Sequence, residues 1–194
     1  MRSQSTKTIT SELKTQAIIL LSIVGAFWLV EVVDQFIFWG RLNLYGIVPR
    51  TTQGLWGILF APFLHGDWQH LIANTVPFIT LGWFVMLQNT SDFFVVSTIT
   101  MLVGGFGVWL FGVPGSVHIG ASILIFGYLG FLLLRGFFQR NLPSMMLSVI
   151  VGFLYGSLVW GVFPIQQGIS WEGHLFGLLG GILAAYLIGQ RHSS

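Results

Sequence analysis

The chain has 194 residues, of which 54% are hydrophobic and only 7% carry a charge. Because a soluble domain carries about 25% charged residues, this composition excludes an ordinary water-soluble globule and indicates a polytopic membrane protein. The net charge of only +2 gives no indication of nucleic-acid binding. The absence of cysteine excludes a disulfide framework and any cysteine-based metal or redox centre.

Six apolar segments are long enough to span a bilayer, which takes about 20 helical residues. They are 16–38, 69–88, 92–112, 120–139, 144–163 and 172–189. Prolines fall at or near the gaps, where helices are expected to stop; they are Pro62, Pro114, Pro143 and Pro164. The sequence therefore predicts an all-α membrane protein built as one bundle of six transmembrane helices.

The basic residues predict the orientation of the bundle, since Lys and Arg are enriched in cytoplasmic connections. With a cytoplasmic N-terminus, the residues that face the cytoplasm are Arg2, Lys7, Lys14, Arg135, Arg140 and Arg191. Only Arg41 and Arg50 then lie outside. We therefore predict that both termini are cytoplasmic.

The predicted orientation divides the chain into three parts. Residues 1–15 are a short cytoplasmic N-terminus, 16–190 form a single transmembrane domain, and 191–194 are a cytoplasmic tail. The compactness of the chain and its short N-terminus indicate an integral multi-pass protein of a bacterial cytoplasmic membrane.

The connection over 39–68, between the first two predicted spans, differs from the others. It is too interrupted by Gly and Pro to span, and it carries few charges. Its aromatic residues are Trp39, Tyr45, Trp56 and Trp68. Because such residues concentrate at the membrane–water interface, we predict a structured, membrane-associated loop that lies partly in the outer leaflet.

Four polar side chains are predicted to lie at one depth of the bundle. In the predicted orientation the second, fourth and sixth spans begin on the outer side. Their first turns carry His70, Asn74, Ser122 and His174. The spacing of four residues places His70 and Asn74 on one helix face. Since polar groups inside membrane spans are costly and usually functional, this level is the predicted site.

Small residues recur at every fourth position of the sixth span, at Gly173, Gly177, Gly181 and Ala185. Such a face lets membrane helices approach closely. On the fourth span, Gly130 shares a face with Ser122. We expect the fourth and sixth spans to pack tightly and to bring the Ser122 hydroxyl within hydrogen-bond reach of His174. Packing alone also explains the glycines, although it leaves His174 unexplained.

The chemistry that these residues allow is nucleophilic attack by Ser122. A serine hydroxyl is a poor nucleophile unless an adjacent base takes its proton, and His174 is the candidate base. His70, Asn74 and the Ser122 backbone N–H are candidate donors to the oxyanion of a tetrahedral intermediate. Asp67, in the outer loop, stays open as a third member, but a Ser–His dyad without a carboxylate is the prediction.

Three motifs occur in one order along the chain: His65 to Asn74, the corner Gly120-Ala121-Ser122, and Gly173 to Gly181. Together with the six spans they resemble the rhomboid intramembrane serine proteases, over nearly the whole chain after residue 15. The resemblance implies that Ser122 is the nucleophile, that His174 is the base, and that His70 and Asn74 line the oxyanion hole. It also implies that the substrates are transmembrane segments of other proteins within the lipid bilayer.

The resemblance also assigns supporting roles, to Gly120, Phe126, Gly177 and Gly181. The chain departs from the family pattern at two positions. Ile123 follows the serine where the family usually has glycine, and it is expected to narrow the cleft or to shift the backbone. Phe126 stands where many members have tyrosine, and we expect its ring to hold His174 in place.

Two alternatives remain open from the sequence. His65, Asp67 and His70, with His174, form a candidate zinc site for a metal-dependent hydrolase, although Ser122 is then left without a role. Ile123 motivates a non-catalytic relative that binds membrane helices without cutting them. The favoured prediction includes no metal and no cofactor, and the sequence does not determine the oligomeric state.

Overall fold

The structure, a computed structural model, describes residues 2–165 and 168–191. These ranges contain no β-strand, and their α-helices are α1 (Arg2–Val33), α2 (Thr52–Phe60), α3 (Trp68–Met86), α4 (Thr90–Phe111), α5 (Ser122–Gln139), α6 (Leu142–Tyr155) and α7 (Trp171–Arg191). A 3₁₀ segment, Gly156–Val162, continues α6. The prediction of an all-α chain is confirmed. The predicted tail lies outside the described residues beyond residue 191.

Five of these helices are long and apolar enough to cross a membrane: α1 with its π-helical end, α4, α5, α6 with its 3₁₀ continuation, and α7. The protein is therefore an integral multi-pass membrane protein. The helix α3 has a similar length of 19 residues but is not among the five. It packs against α1, α4 and α5 inside the bundle. The count of six spans and their orientation stay predictions.

The first helix is longer than the apolar segment that predicts it. It begins at Arg2 and runs through the polar residues expected to form a separate N-terminus. Neither Gly nor Pro occurs before Gly25, so nothing in the polar part interrupts the helical backbone. The helix ends in a π turn followed by Trp39 and Gly40, both with positive φ. Apolar composition thus predicted the membrane-embedded part of α1 but not the start of the helix.

The centre of the bundle is α5, which is mostly buried and packs most extensively against α7. Their backbones approach through glycine. A Cβ on Gly177 would overlap the carbonyl group of Ile123, and a Cβ on Gly181 would overlap that of Gly127. In the opposite direction, Gly130 faces a carbonyl of α7. The predicted tight packing of the fourth span on the sixth is confirmed.

The connection between α1 and α3 is folded, as predicted. It contains α2, and a two-way backbone bridge joins Ile47 to His118, with both N–H···O distances at 2.9 Å. Arg50 donates to the carbonyl oxygens of Leu110 and Gly112 at the end of α4, at 2.8 and 2.9 Å. The connection therefore holds the end of α4 and the segment before α5. Its place in the outer leaflet stays a prediction.

The guanidinium of Arg135, near the far end of α5, is buried in an ion pair. It is 1% exposed and donates to the Asp92 carboxylate at 2.7 Å. Further donations reach the Val85 carbonyl and the Gln139 side chain, at 3.2 and 2.9 Å. Arg135 therefore belongs to the packing of α5 on α3 and α4, and its place on the cytoplasmic side stays a prediction.

The orientation predicts which connections are labelled from outside. Because the chain lacks cysteine, single substitutions report one site each. In right-side-out membrane vesicles, an impermeant maleimide should label Val113→Cys, between α4 and α5. Ser91→Cys, at the exposed start of α4, should react only after permeabilisation. The reversed pattern contradicts the cytoplasmic placement of the termini.

The ion pair predicts a large loss of stability when one partner is removed. Arg135→Met leaves the Asp92 carboxylate buried without its guanidinium, so we expect a loss of about 3–5 kcal/mol in the free energy of unfolding. The measurement is denaturant unfolding in detergent, followed by circular dichroism. Arg140→Met, at an exposed arginine of the same helix end, is the control and should change it by less than about 0.5 kcal/mol. Equal losses in both variants contradict the assignment.

Candidate active site

The candidate nucleophile, Ser122, is the first residue of α5. The corner before it is fixed by the N–H of Gly120, which donates to the carbonyl oxygen of Ala61 at 2.8 Å. The first N–H groups of a helix have no acceptor inside that helix. The corner therefore presents the Ser122 hydroxyl and its backbone N–H together, at the positive end of the helix dipole.

Gly120 is required at this corner for two reasons. Its φ of +110° favours glycine. A Cβ added to it would lie 2.6 Å from Nε2 of His70 and 3.3 Å from Nδ2 of Asn74. The imidazole and the amide of α3 thus both reach the backbone immediately before Ser122. The structure brings His70 and Asn74 to the nucleophile corner.

The side chain of Asn74 offers an unused donor at this corner. The residue is 7% exposed, and its Nδ2 has no hydrogen-bond partner among the described residues. Leaving a buried polar group unpaired costs roughly 1–3 kcal/mol, and native structures contain few such groups. The amide is therefore available to an oxygen that carries negative charge beside Ser122.

The ring of His174, in the first turn of α7, is held from two sides. Its Nδ1 lies 2.9 Å from the carbonyl oxygen of Gly161. Because a carbonyl only accepts, Nδ1 carries the proton of the neutral ring and the lone pair lies on Nε2. The Phe126 ring stacks on the imidazole, with centroids 3.9 Å apart and an interplanar angle of 7°. The expected contact between Phe126 and His174 is therefore present.

The stack also places the His174 ring against the face of α5 that carries Ser122. Phe126 is four residues after Ser122, so the two side chains share one face of α5. Within the described ranges, the Ser122 hydroxyl makes no hydrogen bond, and hence none to His174. Catalytic hydrogen bonds often form only in the complex with substrate. The structure thus fixes the ring of His174 on Phe126, one turn after Ser122, and the dyad stays a prediction.

Asp67, the open candidate for a third member, has another role. Its carboxylate caps α3 by accepting from the backbone N–H of His70 at 2.8 Å. The partner of the His174 Nδ1 is instead the Gly161 carbonyl. A backbone carbonyl thus fixes the tautomer of the base, which is the function that a carboxylate has in a triad.

Ile123, directly after Ser122, is buried in the packing between helices, and its effect on the cleft stays a prediction. Its side chain is 5% exposed and points into the contact of α5 with α4 and α7. A Cβ on Gly104 would lie 2.5 Å from its Cγ2, and a Cβ on Gly173 would lie 3.1 Å from its Cγ1. Two glycines on the neighbouring helices therefore make the room that the branched side chain needs.

The zinc alternative lacks a ligand set. Among the described residues, no three His, Cys, Asp or Glu side chains are grouped so that they could hold a metal ion. His65 is fully buried, with its ring edge-on to that of His70 at a centroid distance of 5.1 Å. Burial lowers the pKa of His65 to about 4, so this ring is neutral at pH 7 and packs against Phe27 and His70.

Sequence reasoning missed two groups at the site. Gly161 contributes its carbonyl, and a Cβ on it would lie 2.9 Å from the Phe126 ring and 3.2 Å from Nδ1 of His174; neither contact has a sequence signal. Ser170 caps α7 by accepting from the Gly173 N–H at 3.2 Å and also lies 2.6 Å from Nδ1 of His118. A serine placed just before a predicted helix is a recognisable cap, but the contact with His118 crosses between distant segments.

The fold and this arrangement define a multi-pass membrane protein in which three helices bring a serine, two histidines and an asparagine to one corner. The Rhomboid domain matches residues 52–191, and the chain belongs to the rhomboid family. The match begins at α2 and includes every candidate site residue.

Relatives of the chain occur in bacteria. Rv1337 of Mycobacterium tuberculosis, an uncharacterized protein, is 44% identical over 177 residues, which cover 87% of this chain and 73% of that protein. YdcA of Bacillus subtilis, named provisionally as a rhomboid protease, is 29% identical over 78% of this chain and 76% of its own length. The rhomboid protease GluP of Bacillus subtilis is 30% identical over 71% of this chain but only 27% of its own length.

The close packing around Gly120 predicts that alanine is more destabilising there than at Gly115, although both glycines have positive φ. Gly120→Ala combines positive φ with contacts on His70 and Asn74, whereas Gly115→Ala, at φ +82°, meets nothing within 4 Å. Each backbone conformation costs roughly 1–3 kcal/mol for a residue with a Cβ. We expect Gly120→Ala to lower the unfolding temperature in detergent clearly more than Gly115→Ala does. Equal shifts contradict close packing at the corner.

Proposed function

We propose that this protein is an intramembrane serine endopeptidase that cleaves transmembrane segments of other proteins through a dyad of Ser122 and His174. The observation that carries the proposal is the convergence at the Gly120 corner. A buried, unpaired donor on Asn74 lies at Gly120, two residues before Ser122, and His174, with its Nε2 lone pair available, stacks on Phe126 one turn after Ser122. The rhomboid family membership supports the same conclusion.

In the proposed first step, the Ser122 Oγ attacks the carbonyl carbon of the scissile peptide bond while Nε2 of His174 takes the hydroxyl proton. The tetrahedral intermediate collapses when the protonated ring gives its proton to the leaving amine. Water then attacks the acyl-enzyme, with the same ring as base, and the second product leaves with a carboxylate. The Gly161 carbonyl keeps the proton on Nδ1 throughout.

The oxyanion is stabilised by donors that are already in place. The candidates are the Asn74 amide, the His70 ring and the N–H of Ser122. Preorganised donors act strongly because they do not reorient during the reaction, and the burial of Asn74 strengthens its interaction with charge. The unpaired amide of the resting protein is thus explained by the intermediate that it binds.

Lipid contact supports a substrate that arrives within the membrane. The helix α6 exposes most of its apolar surface, including Val149 and Phe153 at 72% and 89%, whereas α5 behind it is buried. A transmembrane segment from the bilayer therefore reaches the bundle on an apolar surface. We place the protein in a bacterial cytoplasmic membrane, in agreement with its bacterial relatives.

Gly177 and Gly181 support the site from the side of α7. They allow its backbone to touch that of α5, so the distance between the two catalytic residues is set by backbone contact. The alternative of a non-catalytic relative, which Ile123 motivates, predicts no cleavage by the wild-type protein.

The proposal predicts that Ser122→Ala abolishes cleavage. Purified protein in proteoliposomes is incubated with a single-span substrate, and products are followed by mass spectrometry. The loss should be at least about a thousandfold, because the nucleophile is removed.

Asn74→Ala should lower kcat by about 10²–10³ in the same assay, as for other oxyanion donors. Ser91→Ala, at an exposed serine of α4, is the control and should cleave normally. Cleavage by Ser122→Ala at the wild-type rate contradicts the proposal.

A further inference from the structure

A hydrogen bond joins the segment before the nucleophile to the segment before the base. His118 is four residues before Ser122, and Ser170 is four residues before His174. The Nδ1 atom of His118 lies 2.6 Å from Oγ of Ser170. His118 is 8% exposed, so this contact is shielded from solvent.

The partners of the His118 ring determine its tautomer. The Ser116 hydroxyl donates to the Val113 carbonyl oxygen at 2.6 Å, so its oxygen accepts from Nε2–H of His118 at 2.8 Å. The neutral ring then has its lone pair on Nδ1. Hence the Ser170 hydroxyl donates to His118, while its oxygen accepts from the Gly173 N–H at 3.2 Å.

Both ends of this chain of hydrogen bonds are anchored. On one side, the His118 backbone is paired with Ile47. On the other, Ser170 is tied into the first turn of α7, where its carbonyl oxygen accepts from the His174 N–H at 3.1 Å. A displacement of Ser170 is therefore transmitted to the turn that carries the base.

We propose that His118 is a positioning residue, which fixes His174 relative to Ser122 by accepting the hydrogen bond of the α7 cap, Ser170. This inference rests on the proposed peptidase function. The glycine contacts of α5 and α7 set the distance between the two helices, and Ile123 packs at Gly173 in the first turn of α7. The hydrogen bond to His118 adds a directional attachment at the cap residue Ser170, which those apolar contacts do not hold.

Two substitutions distinguish the hydrogen bond at Nδ1 of His118 from the hydrogen bond at Nε2. His118→Asn places a carbonyl oxygen near the position of Nδ1 and keeps an acceptor for Ser170. His118→Gln places its amide near Nε2, so it keeps the contact with Ser116 and loses the acceptor for Ser170. The two variants are similar in polarity, which makes each the control for the other.

The experiment measures cleavage of a single-span substrate in proteoliposomes by wild type, His118→Gln, His118→Asn and Ser122→Ala, together with the unfolding temperature of each. We expect His118→Gln to lower kcat by about 10- to 100-fold, as expected for a misplaced catalytic group, with KM unchanged. His118→Asn should stay within about threefold of wild type. Adding Ser170→Ala to His118→Gln should cause no further loss beyond Ser170→Ala alone, because both changes remove the same bond.

A readout that does not depend on cleavage completes the test. Hydrogen–deuterium exchange of the peptide covering residues 171–176 should be about tenfold faster in His118→Gln than in wild type, and near wild type in His118→Asn. Unchanged exchange in His118→Gln overturns the inference. If the wild type cleaves, a kcat of His118→Gln equal to that of the wild type also overturns it. Equal losses in the Asn and Gln variants also overturn it. A wild type that does not cleave overturns the proposed function instead, and the exchange data then still decide the role of His118.

Discussion

The backbones of α5 and α7 touch, and the rest of the structure depends on this contact. Gly177 and Gly181 face carbonyl groups of α5, so no side chain separates the two helices. Lipid does not drive apolar helices together as water does, so close packing of small residues is a principal attraction inside a membrane. Ser122 and His174 lie at one end of this contact. Their relative position therefore depends on this backbone contact.

Buried polar groups lie around both ends of α5. At its C-terminal end, Arg135 is paired with Asp92 and further satisfied by neighbouring oxygens, so the charge there stabilises packing. Beside its N-terminal end, the Asn74 amide of α3 has no partner among the described residues. The Gln139 amide nitrogen in the Arg135 cluster also lacks one, so the difference between the two ends is the paired charge of Arg135 and Asp92.

The departure from the family pattern at Ile123 is accommodated by its surroundings. A branched residue directly after the nucleophile suits this bundle because Gly104 and Gly173 stand opposite its side chain. Ile123 joins Ile47, Ile58 and Val108 in a small apolar cluster beneath the connection of α1 and α3. Ile123 thus packs the first turn of α5 against α4, α7 and this connection.

The sequence by itself determined the membrane class and the all-α fold and indicated the candidate dyad, since hydropathy, glycine spacing and polar residues at helix starts are local signals. Only the tertiary structure decided that Gly161 fixes the tautomer of His174, that Asp67 caps α3, and that Arg135 is buried. It also decided the direction of the Ile123 side chain and the bond from His118 to Ser170. Each of these depends on which faces of distant segments meet, and helical periodicity does not specify that.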